Sequence, residues 1–232
     1  IGTGDWSSDV CSSDLLNQSI SHFWKENKSF VLFIFLMFVF RSVVADWNTV
    51  PTGSMKPTIM EGDRILVNRM AYDLRLPFTH VSMVKLADPE RGDIIIFDSE
   101  QSDKRLVKRV IGIPGDIVSM LNNTLSINDH ILPYTINSQT AQFSDITEDL
   151  LGLKHSVRFQ HSSNNKFSSF APVKIPDNFY LALGDNRDKS ADSRFIGLIP
   201  RNEIVGRSSN VVLSLNYDNY YLPRQDRFFK AL

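Results

Sequence analysis

Residues 106–127 read LVKRVIGIPGDIVSMLNNTLSI, and this stretch indicates a β protein. An apolar run over Leu106–Ile113 ends at the turn Pro114–Asp116, and a second short run follows at Thr124–Ile127. Short runs rich in Val, Ile and Leu that are bounded by Gly, Pro and Asp are typical of strands joined by tight turns. Glycine directly before aspartate predicts a turn with a positive φ.

Similar runs continue on both sides of this stretch. They predict strands at Arg64–Val67, Asp93–Phe97, Phe179–Leu183 and Asn210–Ser214. Turn signals separate the runs, at Glu61–Asp63, Arg91–Asp93 and Gly184–Asn186. The polar stretch 137–178 is rich in Ser, Asn and Gln, and it predicts a small β cap with a flexible loop. The predicted fold is therefore mainly β, with an antiparallel core and a cap excursion.

An apolar run, FVLFIFLMFVF at Phe30–Phe40, precedes the β region. Because apolar side chains occupy every face, the run and its flanks predict a transmembrane helix over residues 29–47. Lys25 and Lys28 lie just before it, which favours a cytoplasmic N-terminal side and places the β region outside the cytoplasm. A buried core helix and a cleavable signal peptide are the alternatives, but no small-residue cleavage pattern follows the run.

The string DWSSDVCSSDL at Asp5–Leu15 matches the translation of a common sequencing-library adapter. We therefore predict that residues 1–15 are not native, and we leave them out of the fold prediction. A disordered terminus rich in Ser and Asp is the alternative. The one cysteine, Cys11, lies in this string, so the remaining sequence holds neither a disulfide nor a nucleophilic cysteine.

These boundaries divide the chain into six predicted parts, and the sequence contains no internal repeats or heptads. The parts are a non-native string at 1–15, a cytoplasmic segment at 16–28, a transmembrane helix at 29–47, the first part of the β core at 48–127, the cap at 128–178 and the second part of the core at 179–232.

Composition narrows the possible chemistry. The formal net charge of −1 provides no general attraction to nucleic acid. None of the five histidines lies in an HExxH or similar spacing, so the sequence predicts no metal site and no cofactor. No motif places a histidine as a general base.

A serine and a lysine are then the candidate reactive pair. A serine hydroxyl needs a base to accept its proton, and a lysine can be that base when apolar surroundings lower its pKa. At the period of a strand, Lys108 shares a face with Leu106 and Val110. Arg109 would point the other way, as a solvated or paired charge. Taken alone, Lys108 could be an exposed strand lysine, and Ser54 could lie in a plain loop.

Four segments, in this order, resemble the signature segments of bacterial type I signal peptidases, which are Ser/Lys serine proteases. The segments are Pro51–Thr58 (PTGSMKPT), Arg91–Asp93 (RGD) with its following strand, Lys108–Asp116 (KRVIGIPGD) and Gly184–Arg194 (GDNRDKSADSR). The resemblance covers about residues 30–214, which is most of the chain.

The resemblance implies that Ser54 is the acylating nucleophile and Lys108 the general base. It implies that the Thr52 hydroxyl and the Ser54 N–H stabilise the oxyanion, with threonine where the family often has serine. Ser190 matches a serine that orients the lysine, and Gly53 would permit a close backbone approach. Four further residues match positions that support the last segment: Asp185, Arg187, Asp192 and Arg194.

The resemblance also implies a substrate class, because the family cuts exported preproteins after small residues, commonly in an Ala-X-Ala pattern. Two shallow apolar pockets would be lined by Val50, Pro51, Met55, Ile59, Ile65 and Val107. A substrate segment would add beside them as an extended strand. We therefore expect a monomeric, single-pass endopeptidase of the inner (plasma) membrane, with the catalytic core on the outer side. Its partners would be signal peptides and membrane lipid.

Three other functions remain to be weighed against this one. A related Ser/Lys protease dedicated to a single conjugation or pilus substrate shares the dyad. A self-cleaving repressor needs an N-terminal pair of DNA-binding helices, which the sequence does not contain. A catalytically inactive membrane scaffold would not need Ser54, Lys108 and Ser190 together.

Overall fold

The chain forms two compact units, residues 1–42 and 43–232. The computed structural model describes residues 10–43, 45–76, 79, 81–161, 167–217 and 219–232. Within these ranges the N-terminal unit is a helix, and the second unit consists mainly of strands.

Helix α1 (Val10–Val43) contains the apolar run Phe30–Phe40, whose described side chains are mostly exposed. None of the described helices has the length and hydropathy that a membrane span requires. The predicted helix bounds of 29–47 need correction, because the helix ends at Val43. Trp47 lies in a strand whose backbone pairs with residues 64–68. Residues 1–9 of the predicted non-native string lie outside the described residues, and the origin of that string stays a prediction.

The second unit contains a short helix, α2 (Ser193–Ile196), and seventeen strands among its described residues. The strands are β1 (Ala45–Thr49), β2 (Asp63–Asn68), β3 (Asp73–Arg75), β4 (Ser82–Lys85), β5 (Ile94–Ser99), β6 (Lys104–Gly112), β7 (Ile117–Leu121), β8 (Thr124–Ile127), β9 (His130–Ile131), β10 (Tyr134–Gln139), β11 (Phe143–Leu150), β12 (Leu153–Gln160), β13 (Phe170–Lys174), β14 (Phe179–Leu183), β15 (Ile199–Pro200), β16 (Ile204–Asn216) and β17 (Leu222–Pro223).

Antiparallel pairing joins these strands into four sheets. The largest has the order β1-β2-β16-β5-β6-β14-β15, with β17 beside β16. Smaller sheets have the orders β10-β11-β12, β13-β7-β8-β9 and β3-β4. The prediction of a mainly β, antiparallel fold is therefore confirmed, and strand β6 lies inside the largest sheet between β5 and β14.

Strand β6 has apolar neighbours on the face that carries Lys108. In the register of the sheet Lys108 lies opposite Ile95 of β5, and directly opposed residues of an antiparallel pair share a face. Ile95 and Val110 belong to one buried cluster, and Leu106 packs against it. The period-two argument thus places the lysine next to an apolar layer.

The polar stretch 137–178 is more regular than its composition predicts. Strands β10, β11 and β12 form a three-stranded sheet that begins at Tyr134, and β13 pairs with β7. Residues 162–166, within the predicted flexible loop, lie outside the described residues. Polar strands escape a hydrophobic-pattern search because much of this sheet is exposed on its faces.

Candidate active site

Ser54 lies in a single 3₁₀ turn, Gly53–Met55, that follows strand β1. The residues before and after this turn are extended, so the helical geometry is confined to it. The Met55 side chain is fully buried and anchors the turn in the core. A short, anchored turn of this kind presents the serine at a defined position.

Asn186 holds the same turn from the fourth signature segment. Its backbone N–H donates to the Ser54 carbonyl oxygen at 2.9 Å, and its side-chain amide donates to the Gly53 carbonyl oxygen at 2.9 Å. Two hydrogen bonds from one residue therefore connect segments that are more than a hundred residues apart in sequence.

Lys108 meets Ser54 from strand β6. The Lys108 Nζ atom lies 3.0 Å from Ser54 Oγ, and it donates a second hydrogen bond of 2.9 Å to the Val107 carbonyl oxygen. The lysine side chain is only 2% exposed. The structure thus brings the two predicted reactive residues into hydrogen-bonding contact.

Burial lowers the pKa of Lys108 from its ordinary 10.5 to about 8, since a charged ammonium loses its hydration there. The Asp192 and Asp185 carboxylates oppose this shift, and the Arg194 guanidinium adds to it. The lysine amine is therefore far easier to deprotonate than an exposed one, which is the property that a general base requires.

The two predicted assisting hydroxyls differ in their surroundings. Thr52 precedes the 3₁₀ turn Gly53–Met55, which carries the predicted nucleophile and is called the nucleophile turn below. Thr52 is exposed, and its side chain makes no capping hydrogen bond to that turn. The Ser190 Oγ atom is buried and has no hydrogen-bond partner among the described residues, so no bond joins it to Lys108. It still lies near enough to Asp192 to help lower the pKa of that carboxyl.

The close backbone approach at the site belongs to Gly184 rather than to Gly53. A β-carbon at Gly184 would lie 2.2 Å from Ser190 Oγ and 2.5 Å from the Ser54 carbonyl oxygen. At Gly53 the tightest neighbour would be the flexible Glu61 carboxylate, at 2.7 Å. Of these two glycines, Gly184 is the one at which a side chain would meet rigid backbone, and the expectation for Gly53 stays a prediction.

Asp185 forms a buried, two-pronged ion pair with Arg109. The Arg109 Nε atom donates to Oδ1 at 3.0 Å, and Nη2 donates to Oδ2 at 2.9 Å. Burial alone would raise the pKa of Asp185, but Arg109 holds it below the ordinary value. Of the two alternatives for Arg109, a solvated or a paired charge, the structure has the paired one, and this pair joins strand β6 to the fourth segment.

Arg187 and Glu148 form a second ion pair, which is completely buried. The Arg187 Nη1 and Nη2 atoms donate to the two carboxylate oxygens at 2.8 and 2.6 Å. The Tyr134 hydroxyl donates to the same carboxylate at 2.6 Å. The fourth segment is thereby tied to the β10-β11-β12 sheet.

Asp192 and Arg194 brace the end of the fourth segment. Two bonds of 2.8 Å join the Arg194 guanidinium to the Asp192 carboxylate. Asp192 also caps helix α2 and accepts a 3.0 Å hydrogen bond from the Gly184 N–H. One carboxylate therefore positions both the short helix and the glycine that passes Ser54.

The six predicted pocket residues differ in their exposure. Val50, Met55, Ile59 and Ile65 are buried in one core cluster, against which Val107 packs. Pro51, the sixth of these residues, is exposed. The four buried residues and Val107 form a packed cluster that we call the apolar wall, and the predicted pair of substrate pockets stays a prediction.

A polar cavity of about 290 Å³ opens beside Ser54. Its walls are the nucleophile turn, residues near the paired ends of β11 and β12, and Asn186 and Lys189 of the fourth segment. Arg158 of β12 lines it, and the Arg158 N–H donates to the Asp185 carbonyl oxygen at 2.8 Å. We call this space the polar cavity.

The sequence search missed Glu148 and Arg158, because the chain after Ile127 carries no pattern that singles them out. His155 was also passed over. It is buried beside Glu148, and burial lowers its pKa to about 4, so it stays neutral at neutral pH. Among the described residues, no group of three or more His, Cys, Asp or Glu side chains is placed to hold a metal ion.

Comparison with known proteins gives a consistent family assignment. The family model described as signal peptidase, peptidase S26, matches residues 23–213. Signal peptidase I of Pseudomonas fluorescens is 33% identical over 208 residues, which cover 81% of this chain and 71% of that protein. Signal peptidase I of Rickettsia bellii is 30% identical over 211 residues, which cover 82% and 73%.

A crystal structure of a signal peptidase I from Enterococcus faecalis V583 aligns with a TM-score of 0.35 and 26% identity, over 53% of this chain and 98% of that one. The assignment depends on the sequence matches, which extend over most of both proteins. The chain therefore belongs to the signal peptidase family, peptidase S26, and is a hydrolase of that family.

Proposed function

We propose that this hydrolase removes signal peptides from exported preproteins with Ser54 as the nucleophile and Lys108 as the general base. The observation that carries the proposal is the 3.0 Å contact between Lys108 Nζ and Ser54 Oγ at a lysine that is almost completely buried. Burial provides the lowered pKa, and the contact provides the path for the proton.

In the first step the neutral Lys108 amine accepts the Ser54 proton while the serine oxygen attacks the scissile carbonyl carbon. The resulting ammonium returns that proton to the leaving amine as the peptide bond breaks. An ester to Ser54 remains; Lys108 then deprotonates the water that attacks it and returns that proton to Ser54 Oγ as the ester bond breaks. The lysine ends each half-reaction in the state in which it began.

The oxyanion of each tetrahedral intermediate needs donors that are already in place. We assign this role to the Ser54 N–H and the Thr52 hydroxyl. Support comes from the position of Thr52 directly before the nucleophile turn and from its side chain making no capping bond there. Ser190 is the proposed orienting hydroxyl in the substrate complex, since its buried Oγ atom makes no hydrogen bond to Lys108 in the free chain.

Cleavage after small residues, in the Ala-X-Ala pattern, is the proposed specificity. The support is that Pro51 and Val107, the two predicted pocket residues that are not fully buried, present apolar surface. The apolar wall adjoins the dyad through Val107, which packs against the cluster and whose carbonyl oxygen binds Lys108.

Residues 30–40 of α1 are the proposed membrane anchor. Their support is a set of exposed aromatic and aliphatic side chains, with Phe30 65%, Phe33 61% and Phe35 57% exposed. Lys25 and Lys28 before the run favour a cytoplasmic N-terminal side, which puts the second unit on the outer face of the membrane.

The proposal is tested with the detergent-solubilised chain and a preprotein whose signal ends in Ala-X-Ala. Ser54→Ala should lower cleavage by more than about a thousandfold, because no other group takes over the nucleophile. Mass spectrometry of the products maps the cut. Ser138→Ala, an exposed serine on β10, is the matched control and should cleave normally.

Two outcomes would contradict this proposal separately. Retained cleavage by Ser54→Ala would remove the assigned nucleophile. Release of the protein from membranes by an alkaline wash would remove the anchor, whatever the catalytic result.

A further inference from the structure

The polar cavity beside Ser54 has three cationic side chains in its walls and one acidic one. Lys56, Arg158 and Lys189 are the cations, and Glu61 is the acid. A cleft that carries unbalanced charge of one sign attracts ligands of the other sign. The question is therefore which of these cations remains available to a substrate.

Two of the three cations are already paired within the fold. The Lys56 ammonium lies 3.2 Å from the Glu61 carboxylate. The Arg158 guanidinium makes bonds of 2.6 and 2.7 Å to Asp145, and it also stacks on the Phe143 ring at 3.7 Å. Each pair is locally neutral, so neither leaves a full charge for a ligand.

Lys189 is different, because its side chain is exposed and no carboxylate in the described part of the chain forms an ion pair with it. The adjacent Asp188 carboxylate is directed to the Gln160 N–H, from which it accepts a 2.7 Å hydrogen bond. Lys189 therefore contributes the net positive charge of the polar cavity.

The backbone that carries Lys189 is firmly held. It ends the 3₁₀ turn Arg187–Lys189, whose first residue is locked by the buried Glu148 pair. The Lys189 N–H also donates to the Asn186 carbonyl oxygen at 3.0 Å, and Asn186 in turn holds the nucleophile turn. An exposed lysine on a firmly held backbone thus lines the same cavity as Ser54.

We propose that Lys189 makes the polar cavity a subsite for an acidic side chain of the preprotein, close to the bond that is cut. The inference deepens the proposed function and depends on it, since it requires a peptide to lie across Ser54. The partner group is a carboxylate of Asp or Glu in the substrate. Pairing of such a carboxylate with Lys189 would raise kcat/KM for acidic substrates over their amide counterparts.

The test uses the full-length chain in detergent and matched preprotein peptides that differ by one Glu or Gln at each position flanking the scissile bond. At low salt the unsubstituted chain should prefer Glu at one of these positions by about two- to fivefold in kcat/KM, which is what an exposed ion pair provides. High salt should remove the preference.

The variants separate a charge effect from a folding effect. Lys189→Gln should abolish the preference, Lys189→Arg should keep it, and Lys189→Glu should reverse it in favour of Gln. Lys174→Gln, at an exposed lysine on β13 away from the polar cavity, changes the net charge equally and should leave the preference unchanged.

Equal kcat/KM for Glu and Gln peptides in the unsubstituted chain would overturn the subsite, as would a preference that persists in Lys189→Gln. Either result, with cleavage still abolished by Ser54→Ala, would leave the proposed peptidase intact. Cleavage that survives Ser54→Ala would instead overturn the proposed peptidase.

Discussion

Two lysines border Ser54 in contrasting surroundings. Lys108 lies in the largest sheet, 2% exposed, with its Nζ atom in contact with the serine hydroxyl. Lys189 lies at the polar cavity, exposed to solvent and without an ion-pair partner in the described residues. Solvent is therefore excluded from the region around Lys108 and has access to the region around Lys189.

The difference shows that solvent access determines what a lysine can do. Water stabilises an ammonium, so the exposed lysine provides a positive charge for recognition. Removing that water lowers the pKa of Lys108 to about 8, which makes its amine available as a proton acceptor. In the proposed function a lysine side chain therefore has a chemical role in one region and an electrostatic role in the other.

Lys108→Met should have the largest effect on activity, because it removes the buried amine itself. Loss of the general base should lower kcat/KM by about 10²- to 10⁴-fold, measured with a preprotein peptide. Lys104→Met is the matched control, because Lys104 is exposed on the same strand, β6, and should keep nearly full activity. Equal losses in both variants would contradict a special role for position 108.

The same variant should become more stable, which distinguishes a lost base from a damaged fold. The folded pKa of Lys108 is about 8 against an ordinary 10.5, so the unfolded chain binds this proton more tightly. The free energy of unfolding therefore falls by roughly 3 kcal/mol as the pH falls from 10.5 through 8. Urea unfolding near pH 7 should show a higher free energy of unfolding for Lys108→Met.

Gly184→Ala should have the next largest effect, because it displaces the nucleophile without touching the base. A methyl group there would overlap the Ser54 carbonyl oxygen and Ser190, and a shift of about 1 Å at a reactive atom can cost about 100-fold in rate. Gly53→Ala is the comparison, since its methyl meets the movable Glu61 side chain. A greater loss of kcat/KM in Gly53→Ala would reverse the assignment of the close approach.

The pH dependence of kcat/KM should show the smallest of these effects. It tests whether the pKa of Lys108 is lower than that of an exposed lysine. Because the neutral amine of Lys108 is the active form, kcat/KM should fall about tenfold for each pH unit below a pH of about 8, and it should level off above that. A profile of initial rates at substrate concentrations well below KM measures it. A flat profile through this range would show that Lys108 does not titrate during catalysis.

Much of the fold was predictable because strands leave a local pattern. The runs at Thr124–Ile127 and Phe179–Leu183 have the bounds that the structure gives them. The polar strand β10, with the sequence YTINSQ, was missed, since its residues are mostly exposed and carry no apolar alternation. The helix before the core was predicted to extend to residue 47, which is too long at its C-terminal end, because backbone pairing with β2 begins at Ala45.

For the active site, local features made Ser54 and Lys108 candidates only, and the resemblance of four sequence segments to signal peptidases selected them as the pair that meets. Tertiary structure decided which charges are buried and which are free. Glu148 and Arg187 are 39 positions apart, and Asn186 and Gly53 are 133 apart. Burial and pairing arise from contacts between such distant segments, so no local pattern could have revealed the buried Glu148 pair or the free charge of Lys189.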